Sequence, residues 1–162
     1  MKEILDKITS YNIFNYLLPG TLFVYILGNY VGYNLVVENP IIGGFLYYFV
    51  GMVVSRFGSV LIEPILVYIK FLKFEDYKNY ISASKKDIKI ELLSEVNNTY
   101  RTISSMFILL IFIKLYKLLS ESWRITDNIS ISFLVILMLA LFIFSYRKQT
   151  NYITKRVREN NY

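Results

Sequence analysis

Four blocks of apolar sequence constrain the fold of this chain more than any motif does. "IFNYLLPGTLFVYILGNYVGYNLVV" runs from Ile13 to Val37, and a second block follows Pro40 as far as Leu72. "ISISFLVILMLALFIFSY" covers residues 129–146, and "ISSMFILLIFIKLYKLL" covers residues 103–119. A hydrocarbon core about 30 Å thick takes about 20 helical residues. Blocks one, three and four therefore suit one crossing each, with Lys114 and Lys117 snorkelling from the far end of the third. Block two, as a single helix, would be about 48 Å long at 1.5 Å per residue. It holds no turn long enough to separate two crossings. The predicted path is one crossing from Ile41 to about Leu61, with Pro64 as a kink or restart below it. These readings give an all-α, polytopic membrane protein of one domain, with four transmembrane helices and a small cytoplasmic helical layer.

Composition agrees with that class and removes several chemistries. The chain has 162 residues, 55% of them hydrophobic, and a mean hydropathy of +0.43, above what a soluble domain carries. It contains neither Cys nor His. That excludes disulfides, thiol nucleophiles, Cys/His zinc sites and imidazole acid–base chemistry. No phosphate-binding glycine loop, nucleophile elbow or H-E-x-x-H pattern occurs. Glu63, Glu91 and Glu95 form no evident pair. The sequence therefore predicts no catalytic residue, no metal and no cofactor, and a protein that is not an enzyme. The start, "MKEILDKITSYN", is amphipathic and does not read as a secretory signal.

The basic residues set the predicted orientation. With both termini inside, fourteen Lys and Arg fall on the cytoplasmic side; Arg124 and Lys117 fall outside. Abundant Ile, Asn, Lys and Tyr fit a bacterial source, so the expected location is the bacterial inner membrane. Cytoplasmic helical segments are predicted at about 2–10, 64–100 and 147–160. Ser84 and Asp87 read as a capping box, followed by Ile88, Leu92 and Val96 at helical spacing. Asn97, Asn98 and Thr99 read as a cap for the third span. Tyr146, Thr150, Ile153 and Val157 carry the last helix beyond the fourth. Pro19 reads as the start of a helix, and Trp123 as an interfacial anchor.

Within block two, "SRFGSVLIEP" places charges where lipid-like sequence is expected. On an α-helix Arg56, Ser59 and Glu63 share one stripe, with the two charged residues about 10 Å apart along the axis. An intramembrane polar pair of this kind marks a pore, gate or ligand pocket. The alternative puts Arg56 at the inner headgroups and Glu63 in the cytoplasm. Gly51, Ser55 and Ser59 make a ladder of small residues that permits close helix packing, within the chain or between subunits of a homo-oligomer. Arg101, Arg147, Lys148, Lys155 and Arg156 form a basic group at the same level. It serves either as an anchor to anionic lipid or, with Tyr100 and Tyr146, as a site for an anionic ligand such as a nucleotide. Double-stranded nucleic acid is not an expected partner.

"YNIFNYLLPG", "SRFGSVLIEP", "NNTYRT" and "YRKQTNYI" together resemble a group of small bacterial membrane proteins associated with antiphage defence loci. The resemblance covers most of the chain. It implies a multi-span membrane effector, held inactive until a cytoplasmic sensor protein or a nucleotide second messenger releases it. The effector then permeabilises or depolarises the inner membrane. No ligand-binding residue is implied by the resemblance.

Overall fold

A computed structural model describes residues 10–160. The helical segment expected at 2–10 therefore lies, but for Ser10, outside the described residues. The architecture is all-helical, with no strand among the described residues. Four long helices are α1 (residues 10–31), α2 (Pro40–Tyr68), α4 (Lys89–Ser122) and α5 (Asp127–Asn160). The short α3 (Tyr77–Ser84) lies between α2 and α4 in sequence. The long helices alternate in direction. Asn15, Ser55 and Thr102 meet at one end of the bundle, while Tyr30 and Val31 meet Lys114 and Lys117 at the other.

By length and composition, α2, α4 and α5 are each capable of crossing a membrane, which marks the chain as a membrane protein. The helix α1 is more polar and lies against α2 and α4, where it buries Asn15, Pro19, Phe23, Val24, Leu27 and Val31. With neighbours covering it, a helix need not be apolar all round. Its Phe23, Leu27 and Val31 join Val54 of α2 and Met106 and Leu110 of α4 in the core. The helix α5 stands apart. Only 6% of its most apolar stretch is buried, against 33% for α2 and 22% for α4.

Both internal prolines sit two residues after a π turn, a turn closed by i→i+5 hydrogen bonds. One π turn spans Ile13–Leu17, and the Leu18 N–H donates to Ile13 O; Pro19 follows. The other spans Gly58–Ile62, and the Glu63 N–H donates to Gly58 O; Pro64 follows. A proline removes one N–H from the helix ladder, and in each case the ladder has just been re-registered by the wider turn. So Pro19 does not begin a helix and Pro64 does not restart one; both helices run through.

The helix of the first apolar block is shorter than the sequence suggests. It ends at Val31, not Val37, because Gly32 adopts φ +91° and its N–H donates to Leu27 O at 3.0 Å. A left-handed glycine at this position is a helix stop. Asn39 then caps α2, its Oδ1 accepting from the N–H groups of Ile41 and Ile42. The fourth apolar helix runs on to Asn160 as expected. The two predicted helix starts, at Ser84–Asp87 and at Asn97–Thr99, give way to a single start of α4 at Lys89. Asp87, not Ser84, caps α4, with Oδ1 accepting from the Lys89 N–H at 2.9 Å. Asn97, Asn98 and Thr99 lie within α4, and Ile88, Leu92 and Val96 are exposed.

Glycine sets the crossing of α1 on α2. A Cβ on Gly20 would collide with Tyr47 O, and one on Gly51 with Tyr16 O. The two backbones touch here, which only residues without a side chain allow. The small-residue ladder of α2 thus packs inside the chain. Gly51 meets α1, Ser55 meets α4 and Ser59 is buried.

Candidate functional site

Charge collects at the end of the bundle where the π turn of α2 lies. Glu63 receives Arg101 Nη1 of α4 on Oε2 at 2.7 Å and Lys148 Nζ of α5 on Oε1 at 2.8 Å. Lys148 also donates to Ser59 O at 2.6 Å and lies 5.8 Å from the centre of the Tyr152 ring. All three charged side chains are largely covered, at 14%, 19% and 25% exposure for Glu63, Arg101 and Lys148. One carboxylate therefore joins three helices. Charge-assisted hydrogen bonds of this length are the strong class.

This arrangement corrects the expected pairing of Arg56 with Glu63. Arg56 instead donates to Tyr16 Oη of α1 at 3.4 Å. The π turn at Gly58–Ile62 lies between the two residues and acts as a one-residue insertion. One residue is about 100° of helix rotation at 3.6 residues per turn, so Glu63 leaves the stripe of Arg56 and faces α4 and α5.

Beside the clamp is a neutral polar network with no exposed member. Thr102 Oγ1 lies 2.7 Å from Asn15 Oδ1, 3.1 Å from Ser55 Oγ and 2.9 Å from Asn98 O. Asn15 Nδ2 donates to Tyr11 Oη at 3.2 Å. Thr102 has one hydroxyl hydrogen, so it donates to one carbonyl oxygen at a time and accepts from Ser55. Ser105 donates to Arg101 O at 2.7 Å and occupies the space that a side chain on Gly58 would need. The network ties α1, α2 and α4 together where Arg101 leaves α4 for Glu63.

The structure distributes the predicted basic residues unequally. Arg101 and Lys148 converge on Glu63. Arg147 and Lys148 line a cavity of about 200 Å³ with Val60, Phe144 and Asn151. Lys155, Arg156 and Tyr146 are exposed along α5, and Tyr100 is exposed on α4; none of the four joins the clamp. Asn15, Tyr16, Thr102 and Ser105 were not singled out by sequence reasoning. Their signal is weak: Asn15 and Tyr16 are adjacent and Thr102 and Ser105 three apart, a spacing that also fits exposed positions. Among the described residues no group of three or more Asp and Glu comes together to hold a metal ion.

At the opposite end, Lys114 and Lys117 do more than snorkel. They donate to Tyr30 O and Val31 O at 3.1 and 2.9 Å, so cations cap the negative end of α1. A second cavity there, of about 590 Å³, is lined by Lys117, Arg124, Glu121 and Asp127 among others. Its charges cancel.

Compared with protein-family models, curated proteins and solved structures, the chain matches none.

Proposed function

We propose that the chain is a multi-pass membrane effector or channel, held closed by the Glu63 clamp and gated from the cytoplasm by an anionic ligand or a partner protein. In this reading α1 crosses with α2, α4 and α5 as a fourth span. The clamp end and both termini face the cytoplasm, following the Lys and Arg bias. The setting is antiphage defence at a bacterial inner membrane, by the resemblance described above. No catalytic step is assigned to the chain.

The observation that supports the reading is the position of Glu63. The helix α5 is little covered elsewhere, yet Lys148 fastens it to Glu63 and, through Glu63, to Arg101. An incoming anion, such as a nucleotide phosphate, competes with Glu63 for the same two cations and frees α5. The centre of a single chain is filled by Val24, Val54 and Met106. Conduction therefore requires several copies, which is why a homo-oligomer belongs to the proposal.

The test is ion flux through liposomes holding purified protein. The Glu63→Gln variant should leak without ligand, while the parent remains tight until activated. Equal, tight behaviour of parent and variant under every ligand tried would refute the gate. It would favour a second reading, a non-conducting accessory subunit, for which the uncovered apolar surface of α5 is the supporting observation.

A further inference from the structure

We infer that the cavity between α2 and α5 is a binding site for the phosphoryl headgroup of an anionic lipid. The inference rests on the membrane placement proposed above, but not on conduction. The site is lined by Val60, Phe144, Arg147, Lys148 and Asn151.

Charge accounting points to an anion. Glu63 supplies one negative charge, while Arg101, Lys148 and Arg147 supply three positive ones within the clamp and the adjoining cavity. One positive charge of the covered clamp is left unmatched, and the exposed Arg147 adds a second beside it. The side chains of Arg147 and Asn151 make no hydrogen bond or ion pair with any described residue. An ammonium has three donors, and Lys148 uses two of them, on Ser59 O and Glu63. Guanidinium, amide and the spare ammonium hydrogen are thus available along one wall. The opposite end of the bundle provides the contrast, because its cavity contains its own carboxylates.

Size and wall chemistry select the class of anion. Sites for drug-sized ligands run from about 300 to 1,000 Å³. At about 200 Å³ this open groove has room for a phosphoryl group against its polar wall. Val60 and Phe144 add an apolar wall, and both belong to helices long and apolar enough to cross a membrane. A phosphate carrying acyl chains meets both kinds of wall at once; a free phosphate meets only one. Arginine takes phosphate oxygens in pairs, which lysine does not.

The experiment uses the full chain in neutral detergent. Phosphatidylglycerol, phosphatidylcholine and inorganic phosphate are titrated separately, and retained lipid is counted by native mass spectrometry. Phosphatidylglycerol should be retained in preference to phosphatidylcholine. Arg147→Gln should weaken its retention about tenfold, a factor equivalent to about 1.4 kcal/mol, with part of the loss recovered in Arg147→Lys. Arg156→Gln, about two to three turns further along the same helix and outside the groove, should retain lipid like the parent. Helicity by circular dichroism confirms that each variant is folded. Equal retention by parent and Arg147→Gln would overturn the site. Equal loss in Arg156→Gln would do so too, since binding would then be diffuse surface attraction. Displacement of the lipid by inorganic phosphate would overturn the lipid as its source. Lipid retention in a variant that conducts nothing separates this inference from the gate.

Discussion

Replacing Thr102 with valine tests the buried network with almost no change of shape. Thr102 is fully buried, and valine exchanges its hydroxyl for a methyl group. Two contacts between helices are lost, to Asn15 Oδ1 at 2.7 Å and to Ser55 Oγ at 3.1 Å. A polar group left unpaired in a soluble core costs about 1–3 kcal/mol. Between membrane helices the average hydrogen bond is worth about 0.6 kcal/mol, because the unfolded chain in the bilayer finds other partners. Two bonds at a fully covered site place Thr102→Val between these limits, at about 2 kcal/mol of destabilisation. Thr102→Ser keeps the hydroxyl and loses one methyl, worth about 0.8 kcal/mol. The order parent, serine, valine is the diagnostic result. It is measured by reversible unfolding in mixed micelles of rising dodecyl sulfate content, followed by helical circular dichroism. If valine is no more damaging than serine, the hydroxyl contributes no more than the methyl group and the network account fails.

Other perturbations probe the remaining features by the same unfolding assay unless stated. Gly51→Ala should cost about 1–3 kcal/mol or more from overpacking against Tyr16 O. Gly44→Ala, where an added Cβ meets nothing within 4 Å, should stabilise α2 by about 0.5–1 kcal/mol. Lys117→Met removes the cap on Val31 O and should cost about 0.3–1 kcal/mol, seen most directly as faster amide hydrogen exchange at Gly32. Double-mutant cycles separate the two candidate partners of Glu63. The Arg101–Glu63 cycle should show about 0.5–3 kcal/mol of coupling and the Arg56–Glu63 cycle almost none; the reverse ranking would restore the pairing read from the sequence.

Apolar block length was enough to place α2, α4 and α5, because a run of lipid-compatible residues is a first-order signal. Leucine and isoleucine runs do not reveal where a helix stops. That depended on single residues such as Gly32, whose left-handed backbone ended α1 six residues early. The clamp was legible in its members but not in its pairing. Glu63, Arg101 and Lys148 stood out as charges beside apolar sequence. The stripe that joined Arg56 to Glu63 assumed an unbroken α-helix, and the π turn at Gly58–Ile62 broke it. Such a turn lacks a strong sequence signal of its own, although the two π turns that precede Pro19 and Pro64 at equal spacing indicate one. Gly20 was legible only as a neighbour of Pro19. Its role depends on Tyr47, 27 positions away in sequence, a contact that periodicity along one helix cannot supply.

The Gly20–Gly51 crossing has a consequence for how this chain tolerates change. At most positions of a membrane bundle, one enlarged side chain can be accommodated by trimming its partner. Here the partner of each glycine is main chain, at Tyr47 and Tyr16, and no substitution trims a carbonyl. Neither position can be rescued by a compensating change at the other. Among random variants selected for a folded chain, these two codons should therefore stay fixed. The lipid-like surface of α5, from Ile129 to Phe144, should by contrast exchange leucine, isoleucine, valine and phenylalanine freely. A deep mutational library sorted for membrane expression would show that difference as two narrow columns beside one broad, permissive band.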